Sequence, residues 1–576
     1  MTGLRRDLSR WELTYLSLGG IIGSGWLFAP LAAAAYAGPS SIFAWILGGL
    51  MMLIIAFSYA EVSSSIPASG GIVRYPHMTH GRLVGFTMSW IYLISAVSTV
   101  AIEAVAATTY LSHFFPSLYD NGLSTSGIVL TYVLLVVFFL ANYFGVKLLG
   151  RVSHGLGWWK LLIPTITSIL LFLDFNQSNF AYILPNNLAG PGGIDGILFA
   201  IPSSGIIFSY LGFRQAIEYG GEGRNPQRDI PFALVSSIAI AMLIFTMLQL
   251  GFIGALNWNV AGLPYGDWSG LLTSSISDSP IISLFQEASI LSYVWVSILA
   301  FDAVFSPSGT GIIYTGTTAR TFYASAVNGY LPSVFSRVNF RGIPSISLIV
   351  SVIAAALFLL PIPSWYSIVS ISTLATVLTY VTGGIVLHVF RNKLPQMSRP
   401  YSLRGWKIIA PLSTIVAGLL IYWSGFTTLF YITVASILGL SIFAMYPRII
   451  TVASIVVELL GAYFTVQSGF NIVFTSIYLT LITFIAILSV KISKLPTDEK
   501  RAGYWIIFLI MLLTGLSYVG PFGIIDVITF PYDIPLVIFA MLGLHFMGVR
   551  LSKYRLEIPN YTSITNSSEA RNYEDN

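Results

Sequence analysis

Sixteen stretches of this chain are apolar over about the 20 residues that an α-helix needs to cross a hydrocarbon core about 30 Å thick. They fall near 13–37, 40–66, 83–115, 124–147, 154–174, 194–220, 230–257, 281–318, 344–361 and 365–390, then 407–423, 426–446, 449–466, 471–490, 503–520 and 532–549. Backbone amides and carbonyls find no water inside a bilayer, so such runs must satisfy themselves as helices. The expectation is an all-α polytopic membrane protein of fourteen to sixteen spans, the later segments being short and closely spaced. Composition agrees: 55% of residues are hydrophobic and 9% charged, with a mean hydropathy of +0.80, which a soluble surface of this size would not tolerate. The first apolar run follows Arg5, Arg6 and Arg10 directly and is too long for a cleaved leader, so it reads as a retained span. Cysteine is absent, which excludes disulfides, thiolate metal sites and cysteine nucleophiles.

Charge sets the expected orientation. With the N-terminus in the cytoplasm, the inside connections receive Arg74 and Arg82, Lys147 and Arg151, Arg224 and Arg228, and Arg320, Arg337 and Arg341. The later ones hold Arg391 to Lys407, Arg448, Lys491 to Arg501, and Arg550 to Arg571. The outside connections near 116–123, 175–193, 258–280, 362–364, 467–470 and 521–531 contain no lysine or arginine. This obeys the positive-inside rule and places both termini in the cytoplasm of a multi-pass cell (plasma) membrane protein. On this count only Lys160 and Arg214, of 28 basic residues, lie inside spans. Two sequons, at Asn560 and Asn566, fall on the cytoplasmic tail and read as chance matches.

Two spans carry weak points. Gly19-Gly20-Ile21-Ile22-Gly23-Ser24-Gly25 puts four glycines in seven residues of the first, each costing about 1 kcal/mol in a helix interior. Either the helix breaks there and lines a polar site, or small residues allow close packing against a neighbour. The sixth span repeats the weakness at Ser203-Ser204-Gly205, before Ile206-Ile207-Phe208-Ser209-Tyr210-Leu211-Gly212-Phe213. Interrupted helices at matching places of two halves point to a transporter with an inverted repeat and a midplane site.

At these residues the chain resembles the amino acid-polyamine-organocation (APC) superfamily of amino acid permeases. Gly20 to Gly25 looks like its first-helix signature, and Glu61 with Pro67-Ala68-Ser69-Gly70-Gly71 like the end of its second helix. Phe208 to Phe213, Glu222 and Asn225-Pro226-Gln227-Arg228-Asp229-Ile230-Pro231 are similar to its sixth helix and following loop. Asn328 to Pro332 with Gly342-Ile343-Pro344 match the stretch after its eighth. Val73 to Pro76, Ala101-Ile102-Glu103, Asp302 to Gly311 and Ile421 to Gly425 are most similar to the aspartate-proton symporter branch. The resemblance implies a LeuT-type 5+5 inverted repeat with helices 1 and 6 broken. The domains expected are an N-terminal segment 1–12 and a core whose first part is 13–220, with repeat 1 at about 13–174 and repeat 2 at 194–390. Helices 11 and 12 then cover 407–446, additional membrane helices 449–549 and a cytoplasmic disordered tail 550–576, the additional helices departing from the usual twelve.

A zwitterionic amino acid needs donors for its carboxylate and acceptors for its ammonium. Unwound amides of Ile22, Gly23, Ser24 and Gly25 at a half-helix N-terminus suit the first, with the Ser24 hydroxyl adding a bond. The resemblance implies that carbonyls of Ile21, Phe208 and Leu211 take the second, within a substrate-binding stretch that also includes Ser209 and Gly212. The competing reading has Ser24 bonding its own helix. Phe208 and Tyr210 read as an aromatic lid and a polar wall, or as packing. Lys160 either snorkels to an interface or, as the resemblance implies, stands beside the first break where sodium-coupled relatives hold a cation, losing and regaining a proton during transport. Arg214 pairs with Glu218 four residues on or with another intramembrane acid, or holds a substrate's side-chain carboxylate; pairing is the preferred reading. Glu103 and Asp302 are deep acids expected to be paired, protonated or wet, and are assigned to proton handling. Glu287 and Glu458 receive no role. Ser306-Pro307-Ser308-Gly309 is expected to break or kink span 8, bringing Ser306 to the site.

No metal, cofactor or catalytic residue is expected: HExxH, Walker A and GxSxG patterns are missing, and the six histidines lack metal spacing. No filter repeat or charged ring suggests a channel. The expected function is secondary-active amino acid transport, as proton-coupled symport of acidic amino acids such as aspartate or glutamate. The runner-up is amino acid exchange, or permeation of neutral or cationic amino acids or amines, and an intramembrane enzyme is a distant alternative. The partners are the amino acid, the proton and the lipid bilayer, with no nucleic acid and an open oligomeric state.

Overall fold

The computed structural model describes residues 6–119, 122–144, 146–181, 193–285, 290–359, 365–444 and 448–553. Among them the regular structure is helical, apart from two isolated bridges at Leu8 with Gly223 and Tyr119 with Leu123. Glu287, the sequons and most of the tail lie outside the described residues.

The first apolar run forms α1 (Arg10–Ile21) and α2 (Gly25–Ala37), separated at Ile22, Gly23 and Ser24. Ser9 and Glu12 close a capping box at the start of α1, each satisfying the other's backbone amide. Gly38, at φ 54°, joins α2 through a single 3-10 turn to α3 (Ser41–Ser65). Then follow α4 (Gly71–His80), α5 (Arg82–Leu111), α6 (Thr125–Tyr143) and α7 (Val146–Leu171). The sixth apolar run is α8 (Ile194–Ser203), α9 (Ile206–Tyr210) and, after a 3-10 turn over Leu211–Arg214, α10 (Gln215–Glu218). Gly205, at φ 97°, takes the left-handed conformation that a side chain would resist, and the run bends there by 49°. The core continues through α11 (Pro226–Ala255), α12 (Trp258–Ala261), α13 (Ile290–Val327), α14 (Ser345–Phe358) and α15 (Trp365–Lys393). The remainder is α16 (Trp406–Trp423), α17 (Phe426–Ala444), α18 (Arg448–Gln467), α19 (Ile472–Ile492), α20 (Thr497–Val519) and α21 (Asp533–Arg550).

Among the described residues thirteen helical runs are long and apolar enough to cross a membrane, fourteen with the bent pair α8 and α9–α10. This count treats Gly25–Ser65 as one run and leaves out Ser345–Phe358, which is short, and these two choices account for the difference from the sixteen apolar segments. The protein is a polytopic all-α membrane protein.

Burial separates core from rim. α15 and α5 are buried over 94% and 89% of their most apolar windows, whereas α18 is buried over only 11%, so its apolar side chains face outward, toward lipid. The later helices are not an appendage. Trp90 Nε1 of α5 donates to Ala435 O of α17 at 2.9 Å, and Thr433 of α17 bonds Thr514 of α20 at 2.7 Å. His545 of α21 is hydrogen-bonded to both His388 of α15 and Thr414 of α16, each at 2.9 Å.

Two sequence expectations are corrected here. Arg320, read as a connecting-loop residue, lies inside α13 and is 2% exposed. Its guanidinium grips Glu222 twice, Nε to Oε1 at 2.5 Å and Nη2 to Oε2 at 2.9 Å, while lying 3.9 Å from the Tyr219 ring centroid. A bidentate, ring-stacked pair is what permits such burial, and a loop boundary drawn by hydropathy alone could not anticipate it. Second, of the break or kink expected at Ser306-Pro307-Ser308-Gly309, the break does not occur, for α13 runs on through it. One proline removes one intrahelical bond, and here that did not end the helix.

Candidate functional site

The two broken helices cross at their weak points, and glycine decides how closely. A Cβ on Gly212 would collide with the backbone of Gly20 and Ile21, and one on Gly25 with Ser209. Gly19 faces Ile313 and Gly20 faces Gln215, with a Cβ on either coming within 2.7 and 2.9 Å respectively. Ser17 Oγ ties the crossing by donating to Phe213 O at 3.1 Å and accepting from Ala216 N at 3.2 Å. The two readings of the glycine run are therefore both correct, at different residues: Gly19, Gly20 and Gly25 pack, while Ile22 to Ser24 unwind.

Around the unwound residues stands a buried polar shell. Lys160 of α7 is 0% exposed, and its Nζ donates to Gly19 O at 2.8 Å and Thr310 Oγ1 at 2.6 Å. It does not snorkel. The Thr310 hydroxyl in turn donates to Gly19 O at 2.7 Å, and Ser306 Oγ, one turn earlier on α13, donates to Ile22 O at 3.0 Å. α7 and α13 thus supply the donors that the frayed end of α1 lacks. Glu103 of α5 approaches from the other side, accepting from Ser24 N at 2.9 Å. Ser24 Oγ accepts from Trp365 Nε1 at 2.9 Å and makes no capping bond within its own helix.

Trp365 opens α15 and covers the α2 side. It stacks on Phe28 with ring centroids 4.7 Å apart and meets Phe208 edge-on at 6.0 Å, while Phe28 meets Tyr110 at 5.1 Å. Phe208 thus sits in an aromatic cluster with Trp365 and Phe28 beside the break. The α1 side is closed by charge: Arg10 to Asp229 at 2.9 Å, the Arg320–Glu222 pair, and Leu8 bonded through its backbone to Glu222 O and Arg224 N. Glu61 makes a separate cluster with Arg391 at 2.6 Å, Arg399 at 3.4 Å and Leu403 N at 2.7 Å, tying α3 to α15 and the connection that follows it.

Not every expected residue joins the break. Tyr210 turns away, donating to Trp45 O at 3.1 Å and packing among Trp45 and Phe245, because its place on α9 faces α3 and α11. Ser209 Oγ bonds Gly205 O of its own helix at 2.8 Å. Leu211 is buried in the turn, where its amide already uses Phe208 O. Asp302 lies one turn before Ser306 and takes Trp159 Nε1 on Oδ1 at 2.6 Å, while Oδ2 has no hydrogen-bond partner among the described residues.

Arg214 departs from the pairing expected with Glu218. Among the described residues its only hydrogen bond is Nη1 to Thr376 Oγ1 at 2.8 Å, and its guanidinium lies over Tyr92 and Tyr314, 4.7 and 5.2 Å from their centroids. Among the described residues, Nε and Nη2, the edge that binds a carboxylate side-on, have no hydrogen-bond partner, and neither have the two Glu218 oxygens, the Tyr92 and Tyr380 hydroxyls or Gln215 Nε2. The guanidinium is instead directed to Thr376 of α15 and lies between the Tyr92 and Tyr314 rings. Buried donors and one carboxylate thus stand here without hydrogen-bond partners among the described residues.

Sequence reasoning did not single out Thr310, Trp365, Thr376 or Gln215 as site residues. Thr310 had a signal, since it lies four residues after Ser306 and so on the same helical face. Trp365 and Thr376 had none, because nothing local says which face of α15 meets the breaks.

Comparison with known proteins agrees with this architecture. Residues 8–441 match the family described as amino acid permease. A glutamate/serine transporter of Bacillus subtilis is 33% identical over 95% of this chain and 93% of its own length. An aspartate-proton symporter of the same organism is 32% identical over 94% of this chain and 96% of its own, and a branched-chain amino acid permease is 24% identical over 77% and 94%. The first two alignments extend through most of the helices beyond residue 441, so that region is shared with those transporters. These relatives are transporters and permeases, not enzymes, and the chain belongs to the amino acid permease family, whose members carry amino acids across membranes.

Proposed function

We propose that this protein is a secondary-active, proton-coupled amino acid symporter that accepts acidic amino acids, with Lys160 carrying the coupling proton. The observation that supports it is the Lys160 ammonium, buried and held by Gly19 O and Thr310 Oγ1 at the end of α1. Neutral, it releases the carbonyl end of α1; charged, it secures it, so a proton changes the same backbone that a substrate would touch. The substrate's carboxylate is drawn to the positive end of α2, and its ammonium to the carbonyls of Ile21, Phe208 and Leu211 at the two breaks. The unpartnered edge of Arg214 suits a side-chain carboxylate, and two relatives carry glutamate/serine and aspartate in their names.

The test is uptake into liposomes. Labelled aspartate or glutamate should accumulate under an inward proton gradient without sodium, and a substrate panel should rank acidic above neutral and cationic amino acids. Uptake that requires sodium, or that requires internal amino acid and ignores the gradient, would overturn symport.

A further inference from the structure

One of the amides suited to a substrate carboxylate, that of Ser24, already holds a carboxylate that belongs to the protein. Ser24 N donates to Glu103 Oε2 at 2.9 Å, and a Cβ on Gly23 would lie 2.7 Å from Oε1 and 3.0 Å from Oε2, so both oxygens face the break. Glu103 comes from α5, 79 residues along the chain, and is 1% exposed. Its neighbours in the break are not free either, since Ile22 N bonds Leu18 O at 2.8 Å and Gly23 N bonds Ile21 O at 3.1 Å. The charged and titratable groups facing Glu103 are Lys160 of α7 and Tyr314 of α13, with Asp302 of α13 reaching Lys160. Thr310 Oγ1, which holds the Lys160 ammonium, would also lie 2.7 Å from a Cβ on Gly23, so carboxylate and ammonium bracket the same residue.

The start of α2 can stabilise one negative charge through its amides and dipole. Two carboxylates sharing that place cannot both remain ionised without strong repulsion, and one takes a proton. We infer that Glu103 is an internal ligand occupying the carboxylate cradle of the substrate-free protein, and that an arriving amino acid displaces it while the displaced carboxyl takes up a proton. The bond from Ser24 N to Oε2 breaks, one from Ser24 N to the substrate's carboxylate forms, and a proton from solvent ends on Glu103. The inference rests on the reading that the substrate's carboxylate binds at the first break, and it adds a second proton-coupled group whose titration is tied to occupancy of the site. Glu103 is a positioning residue here: it holds the break in shape until the ligand replaces it.

The experiment is calorimetric binding of glutamate, and of serine, to the purified full-length protein in buffers of differing ionisation enthalpy near neutral pH, paired with infrared difference spectra on adding the same amino acid. Wild type should take up about one proton per bound molecule and gain a protonated-carboxyl band. Glu103→Gln keeps the length and an acceptor for Ser24 N; it should bind at least as tightly, with proton uptake at least halved and the band absent. Binding to wild type without net proton uptake and without the band would overturn the proposal, as would a Glu103→Gln variant that keeps both. If that variant does not fold, the two wild-type readouts decide the matter. Proton uptake on binding combined with failure of gradient-driven accumulation in liposomes would count against symport and leave this exchange standing.

Discussion

A lysine ammonium in a lipid-embedded bundle is costly unless hydrogen-bonded or wet, and Lys160 finds its partners in a carbonyl and a hydroxyl, with no carboxylate in hydrogen-bond contact among the described residues. Lys160→Met keeps most of the stem and removes the exchangeable proton. It should abolish gradient-driven accumulation, by roughly tenfold or more, while leaving a folded protein by size-exclusion chromatography. At Arg214 the decisive comparison is between substrates. Arg214→Gln should weaken uptake of aspartate and glutamate about 10- to 100-fold and that of serine much less, measured as kcat/KM in liposomes. Equal loss for all three would mean that the guanidinium only supports the packing of Tyr92 and Tyr314.

Elements are held apart or together by what their backbones allow. The crossing of α1 with the turn after α9 tolerates no side chain at Gly212, where a methyl group would meet backbone that cannot step aside. Gly212→Ala should therefore cost about 1–3 kcal/mol through overpacking, seen as a lower thermal midpoint in detergent. Gly515 and Gly543, within α20 and α21, have nothing within 4 Å of an added Cβ, and alanine at either should be neutral or stabilising by up to about 1 kcal/mol. The Arg320–Glu222 pair belongs to the same scale, because it joins α13 to the turn after α10. Breaking it from one side with Glu222→Gln leaves a buried guanidinium short of its partner and should cost about 3–5 kcal/mol, whereas Glu222→Gln combined with Arg320→Met should recover much of that loss.

Across the whole molecule the helices beyond residue 446 cover surfaces that the core would otherwise expose. Leu83 of α5 packs into the second apolar cluster with α17, α19 and α20, the His80 ring stacks on Trp505 of α20 with centroids 5.3 Å apart, and Lys553 N donates to Thr79 O at 2.7 Å. Glu499 of α20 also receives the Arg82 amide at 3.0 Å and the Lys553 ammonium at 3.3 Å. These contacts converge on α4 and the start of α5. A chain ending at residue 446 should consequently lose its sharp thermal transition and its monodisperse elution, a larger effect than removing residues 554–576. An unchanged melting profile would show that the added helices are independent of the core.

Much of this was readable from the order of residues, and the reason is that lipid imposes its own rule. Unsatisfied backbone is intolerable in a bilayer, so apolar runs of sufficient length had to be helices, and glycines clustered inside two of them had to mark either breaks or close contacts. Lys160 stood out for the same reason, as a charge in an apolar setting. What the sequence could not contain is which surfaces meet. Whether Arg214 bonds Glu218 or a residue of α15 depended on how α15 meets the sixth run, and whether Arg320 was a loop residue depended on a glutamate 98 positions away. Tyr210 and Thr376 received their places from the rotation of α9 and α15 against their neighbours, a property of packing between distant segments. The glycine run set where the first helix would open; only the fold brought Glu103 from α5 to fill the opening, because a hydrogen bond across 79 residues leaves no trace in local pattern.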